Sequence, residues 1–293
     1  MKTKFLLFVS FLSISFFIGC SSEETTKTED TVASSKTITA DAAIANSEID
    51  ATVDDVSLIV EDQFSIPQSI TAKTAAPVKS ILPACANVTT VVLNDLVTKT
   101  IDFGTVGCTM PNGNILKGKV IISFSKRTSA SPKTISYTLE GFYHSDRLVE
   151  GTKTIVHEMK STELSTTIHP VTTHSIDLKV TFADGKIYTR IGTRVREMTE
   201  GFATVGNWED NVFLVSGTNT TTFPDGSKYN SMIKTALQFN ASCKMPFPVK
   251  GIVEITKNDG LATLDYGNGE CDNLATMTTG GVTKPIELKR KKM

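Results

Sequence analysis

From Cys85 onward the chain alternates apolar and polar residues with a period of two, and that period commits a segment to a strand. Val120, Ile122 and Phe124 alternate with Ile121 and Ser123. Ile135, Tyr137 and Leu139 alternate with Ser136, Thr138 and Glu140, and Ile176, Leu178, Val180 and Phe182 with Asp177, Lys179 and Thr181. Such runs suit half-buried antiparallel strands, whose successive side chains point to opposite faces. Turn signals separate them: Pro111-Asn112-Gly113, Ala183-Asp184-Gly185, Pro224-Asp225-Gly226 and Asn258-Asp259-Gly260. Asn-Gly and Asp-Gly tolerate the positive φ of tight hairpin turns. No helical pattern alternates with the strands, which argues against a parallel α/β sheet. The expected fold is therefore mainly β: a long antiparallel hairpin meander over residues 85–288, curled as an open barrel or folded as a two-layer sandwich.

One stretch occurs twice within this region. It reads Ile101-Asp102-Phe103-Gly104-Thr105-Val106-Gly107-Cys108 and again Leu264-Asp265-Tyr266-Gly267-Asn268-Gly269-Glu270-Cys271. Cys85 precedes the first copy and Cys243 the second. Four cysteines allow three connectivities. The turn at Asn94-Asp95 lies midway between Cys85 and Cys108, and that at Asn258-Gly260 midway between Cys243 and Cys271. Hairpin pairing then favours Cys85–Cys108 and Cys243–Cys271. On the chain-entropy account, loops of about two dozen residues give roughly 3 kcal/mol each. These spacings are unlike the paired Cys-x-x-Cys of a zinc site, so no metal is expected.

The N-terminus carries different information. Met1-Lys2-Thr3-Lys4 is basic and Phe5 to Ile18 is apolar apart from serines, as in a secretory leader over residues 1–19. It ends Phe17-Ile18-Gly19-Cys20, which resembles the lipobox of bacterial lipoproteins, with Phe17 where Leu is usual. The resemblance implies that Cys20 is lipidated and becomes the new N-terminus. Ser21-Ser22-Glu23-Glu24 looks like the export signal of surface lipoproteins in Bacteroidota. Residues 20–40 are polar and form an expected tether, too poor in apolar surface to fold alone. Residues 41–66 read as one amphipathic helix: Ile49, Val53, Val56, Val60 and Phe64 form a stripe, and Asp50, Asp54, Asp55, Glu61 and Asp62 cover the other side. Asp41 is a possible N-cap, and Pro67 ends the helix. The stripe is expected to dock on an apolar sheet face. Residues 67–84 form a linker and 289–293 a basic tail.

Motifs for chemistry are scarce. There is no Gly-x-Ser-x-Gly elbow, no phosphate loop and no His-Glu-x-x-His, and no cofactor is expected. A formal net charge of −1 argues against nucleic acid as a partner. His169 and His174 could pair on a metal or simply occupy a strand. Tyr188, Arg190, Arg194 and Arg196 share one strand face, with Gly192 leaving a gap between the arginines. This face either binds an anion or sugar acid or is a solvated sheet face. Trp208, the only tryptophan, sits in Gly206-Asn207-Trp208-Glu209-Asp210. It is either a sugar-stacking platform or a packed loop anchor.

The leader, the acidic helix and the elements Leu82-Pro83-Ala84-Cys85, Ile101-Asp102-Phe103-Gly104, Val149-Glu150-Gly151-Thr152-Lys153-Thr154 and Leu264 to Asp272 together resemble uncharacterised β-rich lipoproteins of Bacteroidota. The resemblance implies an outer-membrane, lipid-anchored protein, surface-exposed rather than periplasmic, and brings no catalytic residues. The expected role is a non-catalytic module that binds a glycan or protein ligand or serves the envelope structurally. The alternative is a secreted hydrolase whose carboxylates converge only in three dimensions.

Overall fold

The computed structural model describes residues 38–66, 80–126, 132–204 and 207–288. The leader, Cys20, most of the tether, residues 67–79 of the linker and the basic tail lie outside the described residues. The expected fold class holds: among the described residues, one α-helix precedes a single antiparallel sheet of fourteen strands that does not close on itself. In chain order these are α1 (Ala40–Ser65), β1 (Asn87–Leu93), β2 (Leu96–Asp102), β3 (Cys108–Thr109), β4 (Ile115–Ser125), β5 (Lys133–His144) and β6 (Arg147–Lys160). There follow β7 (His169–Thr181), β8 (Ile187–Glu200), β9 (Val212–Thr222), β10 (Lys228–Asn240), β11 (Lys250–Lys257), β12 (Gly260–Asn268), β13 (Leu274–Thr279) and β14 (Val282–Glu287). Each long strand pairs with the next, so the sheet is a meander from β1 to β14, with the short β3 paired to β4 off that path.

The doubled stretch forms the same local structure twice. Its hairpins turn at Asn94-Asp95 and Asn258-Asp259, between the register pairs Leu93–Leu96 and Lys257–Gly260. Both asparagines take positive φ, 54° and 52°, a conformation Asn tolerates better than most residues. The strands then end alike: Asp102 Oδ1 accepts from the Gly104 N–H at 2.8 Å, and Asp265 Oδ1 from the Gly267 N–H at 2.9 Å. Both glycines have positive φ, which is why Gly recurs there. Phe103 and Tyr266 are buried. Disulfides join Cys85 to Cys108 and Cys243 to Cys271, as hairpin pairing favours, with Cα atoms 5.8 and 5.3 Å apart.

A second repeat, Phe182-x-Asp-Gly-x-x-Tyr188 and Phe223-x-Asp-Gly-x-x-Tyr229, builds the β7–β8 and β9–β10 turns. Asp184 Oδ1 accepts from the Lys186 N–H and Asp225 Oδ1 from the Ser227 N–H. The four rings run as a ladder, Phe182–Tyr188–Phe223–Tyr229, with centroids 4.6, 4.9 and 4.2 Å apart. Arg147 lies over one end of it and Lys257 over the other, an arrangement in which cations meet the negative ring faces.

The apolar stripe of α1 docks on apolar residues of the sheet, as expected, but the sheet covers the rest of the helix as well. Its N-cap is Thr39, whose Oγ1 accepts from the Ala42 N–H at 3.2 Å, so Asp41 falls inside the first turn. Ile49, Val53, Val56, Ile59, Val60 and Phe64 pack with residues of β2 to β8 in one core. Ala42, Ala43 and Ala51 pack with residues of β9 to β14 in another. Buried residues occur all round the helix, including Asn46, Ser47, Thr52, Asp54, Asp55 and Gln63. The sheet therefore wraps its concave face about the helix, and the acidic side is enclosed rather than solvated.

Candidate functional site

An enclosed acidic helix requires a matching lining, since a buried charge is tolerated only when paired and hydrogen-bonded. Strand β8 supplies most of it. Tyr188, Arg190, Arg194 and Arg196 share the concave face, as their spacing implies, and all four are buried. The expectation of an open ligand-binding face is corrected: α1 occupies this face. Arg190 pairs with Asp50 and also bonds the Asn46 side chain at 2.9 Å. Arg194 lies 3.2 Å from both Asp50 and Asp54, and Arg196 3.7 Å from Glu61. The Arg196 guanidinium also stacks 3.8 Å over the Phe213 ring. Gly192 leaves no gap between the arginines, because a Cβ there would meet the Thr218 carbonyl oxygen of β9 at 2.4 Å; its backbone instead lines a separate hollow of about 420 Å³ with Ile191, Asn219 and Met232.

Neighbouring strands complete the lining. His144 on β5 places Nε2 at 2.8 Å from Asp55 Oδ2 and Nδ1 at 3.1 Å from Thr52 Oγ1. The amides of Asn112 and Asn114 donate to the two Asp55 oxygens at 2.7 and 2.6 Å. On β7, His174 Nε2 reaches Glu61 at 3.1 Å. Lys99 on β2 donates to the Gln63 carbonyl near the helix C-terminus, where a cation suits the helix dipole. Tyr266, the ring of the second repeat, meets Ser47 at 3.1 Å. Thr221 on β9 accepts from Arg190 Nε at 3.1 Å and donates to the Asn46 side chain at 2.8 Å. Lys99, Asn46, Asn114 and Thr221 belong to no motif, so nothing in the sequence marks them.

These partners set the protonation of the helix acids. Burial pushes Asp55 up, but the hydrogen bond and charge of His144 and the two Asn amides outweigh it, holding Asp55 below the usual carboxylate range. Burial raises Glu61 too, but the charge of Arg196 and the bond from His174 bring it below its ordinary value. Asp54 goes the other way, since burial outweighs its arginines and its Oδ2 has no partner among the described residues. Burial lowers His174 to about 4, so its neutral ring donates Nε2–H to Glu61.

Lys153 on β6 is the weakest member. It is 3% exposed, and its amine meets Ser57 Oγ only at 3.5 Å. Burial brings it down from 10.5 to about 7, with Arg194 and Arg190 adding to the fall and Asp54 and Glu61 opposing it. Between these two pH values the unfolded chain binds a proton that the folded chain has released, so stability rises with pH across that window. Lys153→Met is expected to raise stability at neutral pH by roughly 2–4 kcal/mol, because folding at that pH drives off a proton that the unfolded amine holds and the methionine has none to lose. It should also flatten the rise above neutrality. Urea midpoints for both chains from pH 7 upward check this.

The remaining sequence candidates separate. His169 and His174 are five apart on an unbroken strand register and therefore face opposite sides. His169 pairs with Glu197 at 2.9 Å, which Thr162 also reaches at 2.6 Å. No group of three or more His, Cys, Asp or Glu side chains suited to a metal occurs among the described residues. Trp208, on the β8–β9 connection, is half-buried and packs against the first core. It stands between two adjoining hollows. One, of about 60 Å³, is lined by Asp54, Arg196, Phe213, Phe239 and Met245. The other, of about 190 Å³, is lined by Leu58, Glu61, Asp62, His157, Phe202 and Asn211. Both fall below the roughly 300–1,000 Å³ of pockets that enclose a whole drug-sized molecule. They have room for a single ring or side chain beside the indole. Cys20 lies outside the described residues. Comparison of the chain with protein-family models, curated proteins and solved structures returns no match.

Proposed function

We propose that the protein is a lipoprotein of the bacterial outer membrane, anchored through Cys20 and facing the cell exterior, whose folded body is a non-catalytic binding module. The Met1–Cys20 segment and Ser21-Ser22-Glu23-Glu24 support the anchor and its location. One observation carries the non-catalytic reading: the concave face, where a curved sheet would ordinarily hold a substrate, is filled by the protein's own helix. The carboxylates that line the hollows beside Trp208 are already engaged: Asp54, Asp55 and Glu61 each lie against a basic side chain of the sheet, and Asp62 accepts from Gln63 and Ser80, which supports binding rather than hydrolysis there.

Ligand contact then falls to the hollows the helix leaves open, and the Trp208 crevice, beside the C-terminal half of the helix, is the one we assign because it sets an indole beside polar groups. A glycan is the ligand class this suits, because a sugar ring presents an apolar face to the indole and hydroxyls to Asn211 and Asp62. Trp208 is the only tryptophan, so its emission reports on the crevice directly. Titration with soluble oligosaccharides from the cell envelope is expected to give a saturable change in emission. Trp208→Ala should weaken the same binding at least tenfold by calorimetry. No saturable change with any oligosaccharide, or equal binding by the variant, would remove the crevice as the site.

A further inference from the structure

Strand β1 ends the sheet in an unusual condition. All seven of its residues, Asn87-Val88-Thr89-Thr90-Val91-Val92-Leu93, are exposed, on both faces. Val88, Val91, Val92 and Leu93 are 37, 63, 45 and 70% exposed, and Leu96 across the turn is 50% exposed. The strand has no charge, no proline and no glycine. A sheet edge of this composition invites pairing with another strand. The opposite edge is protected: β14 contains Lys284, Pro285 and Glu287, and a proline has no N–H to offer a neighbour.

The register defines what β1 offers. Its two-residue turn closes on the pair Leu93–Leu96, which must be the hydrogen-bonded kind because the turn leaves no residues for a wider pair. By alternation, Asn87, Thr89, Val91 and Leu93 spend their backbone groups on β2. The N–H and C=O of Val88, Thr90 and Val92 therefore point away from the sheet. Their side chains lie on the concave side, opposite Ile101, Lys99 and Val97 of β2. Ile101 and Val97 are fully buried. Val88 and Val92 thus continue the core stripe one strand past its cover.

We propose that β1 pairs antiparallel with β1 of a second copy of this chain, about a two-fold axis through Thr90. The strand is complementary to itself in that register. Thr90 faces Thr90, Val88 faces Val92, and Val92 faces Val88 on the concave side; Thr89 faces Val91 on the other. All three outward-pointing residues meet their counterparts, which gives about six hydrogen bonds. No like charges meet, because the strand has none. The sheet runs unbroken from one copy into the next, and the exposed valines extend the core. A two-fold contact of this kind is closed, so it stops at a dimer.

The test uses the full chain carrying Thr90→Cys, oxidised in detergent and run on a non-reducing gel. A reducible band at twice the chain mass is expected, absent from the parent chain and from Thr100→Cys on the neighbouring strand. Adding Val92→Pro removes one outward N–H without touching a bond to β2. It should abolish the band and leave a monomer by sedimentation, with the circular dichroism of the parent retained. Three results overturn the proposal. The first is a T90C thiol that reacts freely with a monofunctional reagent yet gives no dimer, which leaves the edge open in a monomer or to a different protein. The second is a T90C thiol protected from that reagent without a dimer, which places another segment, such as residues 67–79, on the edge. The third is a band that persists with Val92→Pro, which excludes strand pairing as its cause.

Discussion

Arg194→Met is expected to cost about 3–5 kcal/mol of folding stability, the penalty for leaving a buried charge without its partner. Arg194 is 3% exposed and sits between Asp50 and Asp54, two carboxylates one helical turn apart. Removing it leaves Asp50 to Arg190 alone and deprives Asp54 of its nearest cation. Asp54 is already the least satisfied acid of the set, and loss of the Arg194 charge removes the largest influence that opposes its burial. The loss is a large share of the roughly 5–15 kcal/mol that holds an ordinary domain together. Combining Arg194→Met with Asp54→Leu should restore most of it, because replacing both members of a buried pair by apolar groups is often neutral. Urea unfolding of the parent, both single variants and the double variant, compared at constant slope, gives the coupling directly. Additive losses would mean that the two side chains do not act as a pair.

Loss of each disulfide is expected to cost roughly 3–4 kcal/mol on the chain-entropy account, for separations of 23 and 28 residues. The two losses should differ in kind. Cys85–Cys108 anchors the base of the β1–β2 hairpin, whose outer strand has no neighbour beyond it among the described residues. Replacing that pair by alanine should loosen β1 locally, so its amides exchange early while the rest of the sheet stays protected. Cys243–Cys271 closes the β11–β12 hairpin, which lies between β10 and β13. Its removal should lower the global unfolding midpoint with no region opening first. Urea midpoints and amide exchange on the two double-alanine chains separate these outcomes. Reducing agent should act on the parent as the two variants combined.

Much of this architecture is legible in the residues. The period-two runs, the Asn-Asp and Asp-Gly turns and the placement of four cysteines specify the hairpins and their staples. Local geometry decides those features, so a single sequence contains them. The helix is legible from the Ile49-to-Phe64 stripe, and the shared face of Arg190, Arg194 and Arg196 from strand alternation. Their relation to one another is what the pattern hides. An acidic helix side ordinarily faces water, and a row of arginines on a strand ordinarily does too. Only the long-range curvature of the sheet brings the two together.

One signal could have joined them. From Asp50 to Glu61 a helix rises about 16 Å, and from Arg190 to Arg196 a strand rises about 20 Å. The order of contacts is the same along both, with Asp50 at Arg190, Asp54 at Arg194 and Glu61 at Arg196. Two ladders of opposite charge and similar length in an otherwise balanced chain point to a helix lying along a strand. Lys99, His144 and His174 gave no comparable pattern, because each comes singly from a different strand. Trp208 was legible as a candidate but not its setting, which depends on the β8–β9 connection meeting the helix and the β10 end.

The helix is an interior element, enclosed by the sheet and held there by paired charges. Amide hydrogen exchange across Ala42–Phe64 tests it most directly. Exchange there should be as slow as in β7 and β8, requiring global unfolding, and should accelerate in Arg194→Met. Helix amides that exchange within minutes while β7 and β8 stay protected would mean that the helix leaves the sheet readily, and would contradict the account.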